Sequence, residues 1–165
     1  METKSISPSL SALPEHARVW VYKSAVPFSA DQKDLIRERG AVFTQSWAAH
    51  GAALAAALDV VNDHFVVLGV DQRQAMASGC SIDTSVQFIQ QLERELGQLL
   101  TDRMVVLYEK DGVVHGCRVP EVEDLIKSGA LNADTIVFDD LVTTKADLEA
   151  RFRTSLRNSW MARYL

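Results

Sequence analysis

Leu54-Ala55-Ala56-Ala57-Leu58-Asp59-Val60-Val61-Asn62-Asp63-His64-Phe65-Val66-Val67-Leu68-Gly69-Val70-Asp71 contains two apolar runs, 54–61 and 64–71, joined through Asn62-Asp63. Asn and Asp tolerate the left-handed backbone of a tight turn, so the stretch predicts a β-hairpin. Its first half is the weaker strand signal, because Ala52 to Ala57 is alanine-rich and favours helix on propensity alone. Gly51 before it and Asp59-Val60-Val61 after it tip it toward strand. The second half, Phe65 to Val70, reads clearly as strand. Pairing about Asn62-Asp63 sets Leu54 near Asp71.

A hairpin brings the start of its first strand beside the end of its second. The flanking clusters Ser46-Trp47-Ala48-Ala49-His50-Gly51 and Ser78-Gly79-Cys80-Ser81-Ile82-Asp83 should therefore share one rim. At about 3.3 Å per extended residue, His50 and Cys80 should lie within roughly 15 Å of each other.

Outward from the hairpin, Arg18 to Ser24 alternates Val19/Val21 with Trp20/Tyr22, a strand ended by Pro27. Ser29 with Gln32 forms a capping box for a helix. Its apolar face is read as Leu35, Ile36, Val42, Phe43 and Trp47, weakened at Gly40. A second helix runs from about Ile82 to Leu96 with Ile82, Val86, Ile89, Leu92 and Leu96 as its buried stripe. Ser81 is its expected cap and Gly97 its stop. Met104 to Tyr108 completes β-α-β-β-α-β, the split βαβ pattern of ferredoxin-like folds.

The remainder predicts an extension. Asp111-Gly112 turns into a strand 113–119, Pro120 opens a short helix ended by Gly129, 135–138 is a strand, and Thr144 with Asp147 caps a last helix to Phe152. The predicted class is α+β: residues 1–16 a flexible arm, 17–109 a ferredoxin-like core, and 110–165 a β-α-β-α extension with a docked basic tail.

The 165 residues suit one domain with an appended module. The net charge of −5 argues against nucleic acid and anionic membrane as partners. From Ala150 onward there are four arginines and no acid, which leaves −9 on the rest. Trp160, Met161, Tyr164 and Leu165 stand close together there, so the tail is expected to dock, with Trp160 as its anchor. Cys80 and Cys117 follow no metal or disulfide spacing. No signal-like or membrane-spanning run is present, and a cytoplasmic protein is expected.

The strings Ser46–Gly51, Ser78–Asp83 with Ser85-Val86, Leu141-Val142-Thr143-Thr144-Lys145 and Ser159-Trp160-Met161-Ala162-Arg163 resemble those of an uncharacterised bacterial family of about this length. That likeness covers nearly the whole chain and implies no activity. Members sometimes carry the label of an ABC transporter ATPase, but no Gly-x-x-x-x-Gly-Lys-Ser/Thr string stands here to cradle phosphates. Locally, Tyr108, Gly112, Gly116, Leu125-Ile126, Ser128-Gly129 and Asp134-Thr135-Ile136-Val137 are similar to GYF-like modules, some of which bind proline-rich peptides. Cys117 replaces their usual proline, and no tryptophan closely follows Phe138.

The rim offers the chemistry. Trp47, His50, Ser78, Cys80, Ser81 and Asp83 can form a ligand pocket between the 46–51 and 78–83 loops. The leading reading is a small-ligand-binding or regulatory protein, its partner a small anionic ligand or a peptide. A cysteine-dependent hydrolase or transferase is the second reading: Cys80 as nucleophile at a helix mouth, His50 as base, Asp83 or Asp71 as orienter. The third is an interaction module working through the extension. His50 is read either as a backbone-bonding loop residue or as a ligand, and Trp47 either as core or as a stacking platform. Thr143, Thr144 and Lys145 read as a plain cap with a solvated lysine, or as an anion site. His115 and Cys117 share a strand face without a third ligand, which makes no zinc site. No cofactor and no metal are predicted.

Overall fold

Asn62 and Asp63 both adopt left-handed backbone, φ 52° and 58°. They reverse the chain between β4 (Ala55–Val61) and β5 (Phe65–Asp71) in a computed structural model that describes residues 8–73 and 75–165, with side chains from Leu10 onward. The hairpin forms as expected, but its register is one residue from the symmetric one. Ala55 faces Asp71 and Val61 faces Phe65, so the loop holds three residues. His64 leaves the ladder because it is used elsewhere: its Nδ1 lies 2.9 Å from the Ser24 carbonyl, and its own carbonyl accepts from the Ser24 amide at 2.7 Å.

β1 (Arg18–Lys23) pairs antiparallel with β5, giving the order β1-β5-β4. Two helices, α2 (Ala30–Ser46) and α3 (Gly79–Leu96), cover one face. The Ser29–Gln32 capping box is present. Ile36, Leu58, Leu68, Ile89 and Leu92 fill the layer beneath the helices. Gly40 presses against this layer: a Cβ there would stand 2.5 Å from Leu58 Cδ2. Val42, expected inside, is exposed. On α3 the buried face is Ser81, Ser85, Ile89 and Leu92, so serines fill its first turns where Ile82 and Val86 were expected.

The α+β class holds, and three strands of the split βαβ sheet lie as expected. The fourth does not join them. β6 (Val105–Lys110) is the second strand of another sheet, β7-β6-β8-β9, with β7 Val113–Arg118, β8 Ile136–Phe138 and β9 Arg153–Ser155. The four-stranded ferredoxin-like sheet is therefore not formed. Loops occupy part of the place beside β1: the Val19 amide bonds the Thr143 carbonyl at 2.9 Å, and the Lys23 amide bonds the Leu100 carbonyl at 3.1 Å. The change from one sheet to the next falls before Val105, not at 109–110.

The sheets pack face to face. Val19, Phe65 and Val67 meet Val105, Leu107 and Phe138 in one apolar layer. Within it, Phe65 sits 5.3 Å from Phe138 and 4.8 Å from Phe152, centroid to centroid. The far face of the second sheet is covered by α4 (Val122–Lys127) and the tail. The predicted arm is corrected over residues 8–16: Leu10 is fully buried in the layer between the sheets, after α1 (Pro8–Ser11). Residues 1–7 of the predicted arm lie outside the described residues. Gly69 makes room for this segment, since a Cβ there would meet Leu13 Cδ1 at 2.8 Å.

Candidate functional site at the sheet rim

His50 and Gly51 form a two-residue turn, φ 51° and 79°, between β2 (Ala48–Ala49) and β3 (Ala52–Ala53). Left-handed backbone at both central positions makes this a type I′ hairpin, so the 46–51 cluster is itself a small β-ribbon with His50 exposed at its tip. Trp47, just before it, is 3 % exposed. Its indole donates to the Ser81 carbonyl at 2.8 Å, a buried bond. The two clusters therefore do adjoin.

The cap of α3 is Ser78, three residues earlier than expected. Ser78 Oγ accepts from the Ser81 amide at 3.1 Å, and Ser81 Oγ accepts from the Ser78 amide at 2.7 Å. Serines at N-cap and N3 satisfy each other's donors, as a Ser/Glu capping box does. Both positions carry a serine able to cap, so composition alone did not separate them. Cys80 thereby becomes the second residue of the helix and is exposed.

These bonds sort the predicted site residues. Trp47, Ser78 and Ser81 are spent on holding the rim together. Among the described residues, the side chains of His50, Cys80 and Asp83 form no hydrogen bond, so no Cys–His–Asp relay is assembled. Asp71 is engaged by a forked bond from Arg73, at 3.0 and 2.6 Å, which holds its carboxyl below the usual carboxylate range. A shallow groove lined by Gln90, Arg94, Gln98 and Leu99 lies at the other end of α3, roughly 25 Å away at 1.5 Å per residue.

Elsewhere, Thr144 caps α5 (Lys145–Arg151) by accepting from the Asp147 amide. Lys145 is not solvated: it is 5 % exposed and donates to the carbonyls of Ser11 and Leu13. It fastens the N-terminal segment, a role its position at a helix start did not signal. Cys117 is half-buried, and burial with nearby Glu121 pushes its thiol up to about 11. Tyr108 and His115 stack at 5.6 Å across β6 and β7. Among the described residues no group of three His, Cys, Asp or Glu side chains can hold a metal ion. No described helix is long and apolar enough to cross a membrane.

Compared with known proteins, the chain matches no family model, no curated protein and no solved structure.

Proposed function

We propose that the protein binds a small ligand bearing an anionic group at the rim formed by the 46–53 ribbon and the start of α3. The observation that carries this reading is the buried Trp47–Ser81 bond. It ties two segments distant in sequence into one edge and leaves exposed His50, Cys80 and Asp83 with unspent polar atoms. The first-turn amides of a helix lack intrahelical acceptors and favour negative charge. Ser78 and Ser81 satisfy each other, so the Gly79 and Cys80 amides are the ones left for a ligand. His50 supplies a second donor from the ribbon tip. Binding is favoured over thiol catalysis because a nucleophile needs a base within hydrogen-bond reach, and Cys80 has no such partner among the described residues.

Inorganic phosphate is the first probe. It should shift the Gly79 and Cys80 amide resonances saturably and slow iodoacetamide labelling of Cys80. His50→Ala should weaken both effects. Cys117, with its raised thiol, serves as the slow internal control. If neither phosphate nor small carboxylates produce a saturable shift or any protection of Cys80, the reading fails.

A further inference from the structure

β7 is the end strand of its sheet, and among the described residues no backbone hydrogen bond covers its outer edge before Arg118. Sheet edges are usually blunted by lysine, proline, bulges or a covering element. Here Val113 is 56 % exposed, and His115 and Gly116 are exposed as well.

The register shows which backbone groups face outward. β6 and β7 are joined by the two-residue turn Asp111-Gly112, φ 54° and 76°, so Lys110 and Val113 form the closing pair. Hydrogen-bonded pairs alternate in an antiparallel ladder. Val113, His115 and Cys117 therefore bond inward to β6, a parity continued by the Val119 amide donating to Met104 at 2.8 Å. Val114, Gly116 and Arg118 point outward. The Arg118 amide is already satisfied by Glu121 Oε1 at 2.7 Å, and Pro120 has no amide hydrogen. The open edge is thus Val114 and Gly116, each with one N–H and one C=O.

We propose that a second copy of this chain occupies that edge, pairing β7 with β7 antiparallel about a two-fold axis at His115. In this register Val114 of each copy faces Gly116 of the other. Both outward residues of both copies exchange their hydrogen bonds, four in all, and none is left over. A shift by one residue would aim these groups at positions already bonded to β6. A shift by two would oppose one of them to Arg118 or Gly112 at the strand ends. In the central register the tip of one copy comes beside the Arg118–Val119 end of the other, where Arg118 keeps its own ion pair with Asp102 at 3.1 Å. Gly116 has no side chain to hinder approach. The product is one continuous eight-stranded sheet with two His115 rings adjacent on its outer face.

Sedimentation of the full chain over a wide concentration range should show a monomer of 18.3 kDa giving way to a species of twice that mass. Gly116→Pro removes an outward amide and no bond to β6, and it should abolish the larger species. His115→Glu leaves the backbone untouched and brings two carboxylates together at the axis, so it should do the same. Register is read by crosslinking with Cys80→Ser and Cys117→Ser in place. His115→Cys should form an interchain disulfide on mild oxidation, since a non-hydrogen-bonded cross-strand pair stands about 4.5 Å apart at Cα. Val113→Cys should not, because its opposite position is 117. A protein that stays monomeric at all concentrations, a dimer indifferent to both edge variants, or crosslinking at 113 in place of 115 would each overturn the proposal.

Discussion

Gly40 shows how one residue can oppose its own element. Alanine is the better helix former by about 1 kcal/mol, so Gly40→Ala should stabilise α2 in isolation. In the folded chain the new methyl would overlap Leu58 Cδ2, and overpacking of a core typically costs 1–3 kcal/mol. The expected net result is a lower denaturation midpoint with an unchanged m-value, measured by urea unfolding. A raised midpoint would mean that Leu58 yields freely. Trp47 is the second decisive residue. Trp47→Phe keeps the ring in the layer shared with Trp20, 6.0 Å away, and Phe43, 5.3 Å away, but removes the indole's bond to the Ser81 carbonyl, which keeps only its intrahelical donor. A loss of about 0.5–1.5 kcal/mol is expected, together with faster hydrogen exchange at the first turn of α3.

Among elements, β9 has no buried side chain of its own and carries an ion pair to a strand it does not adjoin. Arg153 reaches past β8 to make a forked bond with Glu109 at 3.0 and 2.8 Å. The guanidinium holds the Glu109 carboxyl below its usual range. A carboxyl with a depressed folded pKa stabilises the fold fully above its unfolded value of about 4.3. That contribution is lost as pH falls through the lower folded value. Wild-type protein should therefore lose melting temperature more steeply below about pH 4.3 than Glu109→Gln, and the two should differ most near neutrality. Parallel curves for the two proteins would remove the pair from the account.

Legibility also divides at this scale. The 55–71 hairpin, both major helices and the Ser29 box were readable because apolar spacing and capping residues are local signals. The one-residue register shift was not, since it follows from His64 bonding Ser24, forty positions away in sequence. β9 leaves no signal, because Arg153-Thr154-Ser155 has no apolar alternation. The sequence of β6 shows a strand but not its sheet: its pattern states that it pairs, not with what. At the rim, sequence brought the right segments together, but could not tell the side chains spent on scaffold, Trp47, Ser78 and Ser81, from those left over.

For the whole molecule, the basic tail behaves as part of the body. Arg151 bonds Asp139, Arg153 bonds Glu109, Arg157 bonds Asp134, and Arg163 lies over the Tyr164 ring at 5.7 Å. The apolar anchors are Leu156 and Met161, both fully buried. Trp160, the expected anchor, is half-buried, and its buried indole nitrogen has no acceptor among the described residues. Burying a side chain of that size stabilises by about 1.5–3 kcal/mol, against at most about 1 kcal/mol for an exposed ion pair. Removing residues 155–165 should therefore lower the melting temperature clearly, while high salt alone should leave the tail resistant to proteolysis. Ready trimming of the native protein with no thermal effect would contradict this docking.

The closure of β1 by Thr143 and Leu100 bears on the order in which the protein can be made. Synthesis runs from the N-terminus, and the residues that complete the first sheet are encoded far behind it. A nascent chain that has released only the helices and the hairpin carries an open strand edge and an apolar sheet face awaiting Phe138 and Phe152. Until the last quarter has left the ribosome, the first half has no finished surface, and chains terminated early should be recovered in inclusion bodies or bound to chaperones.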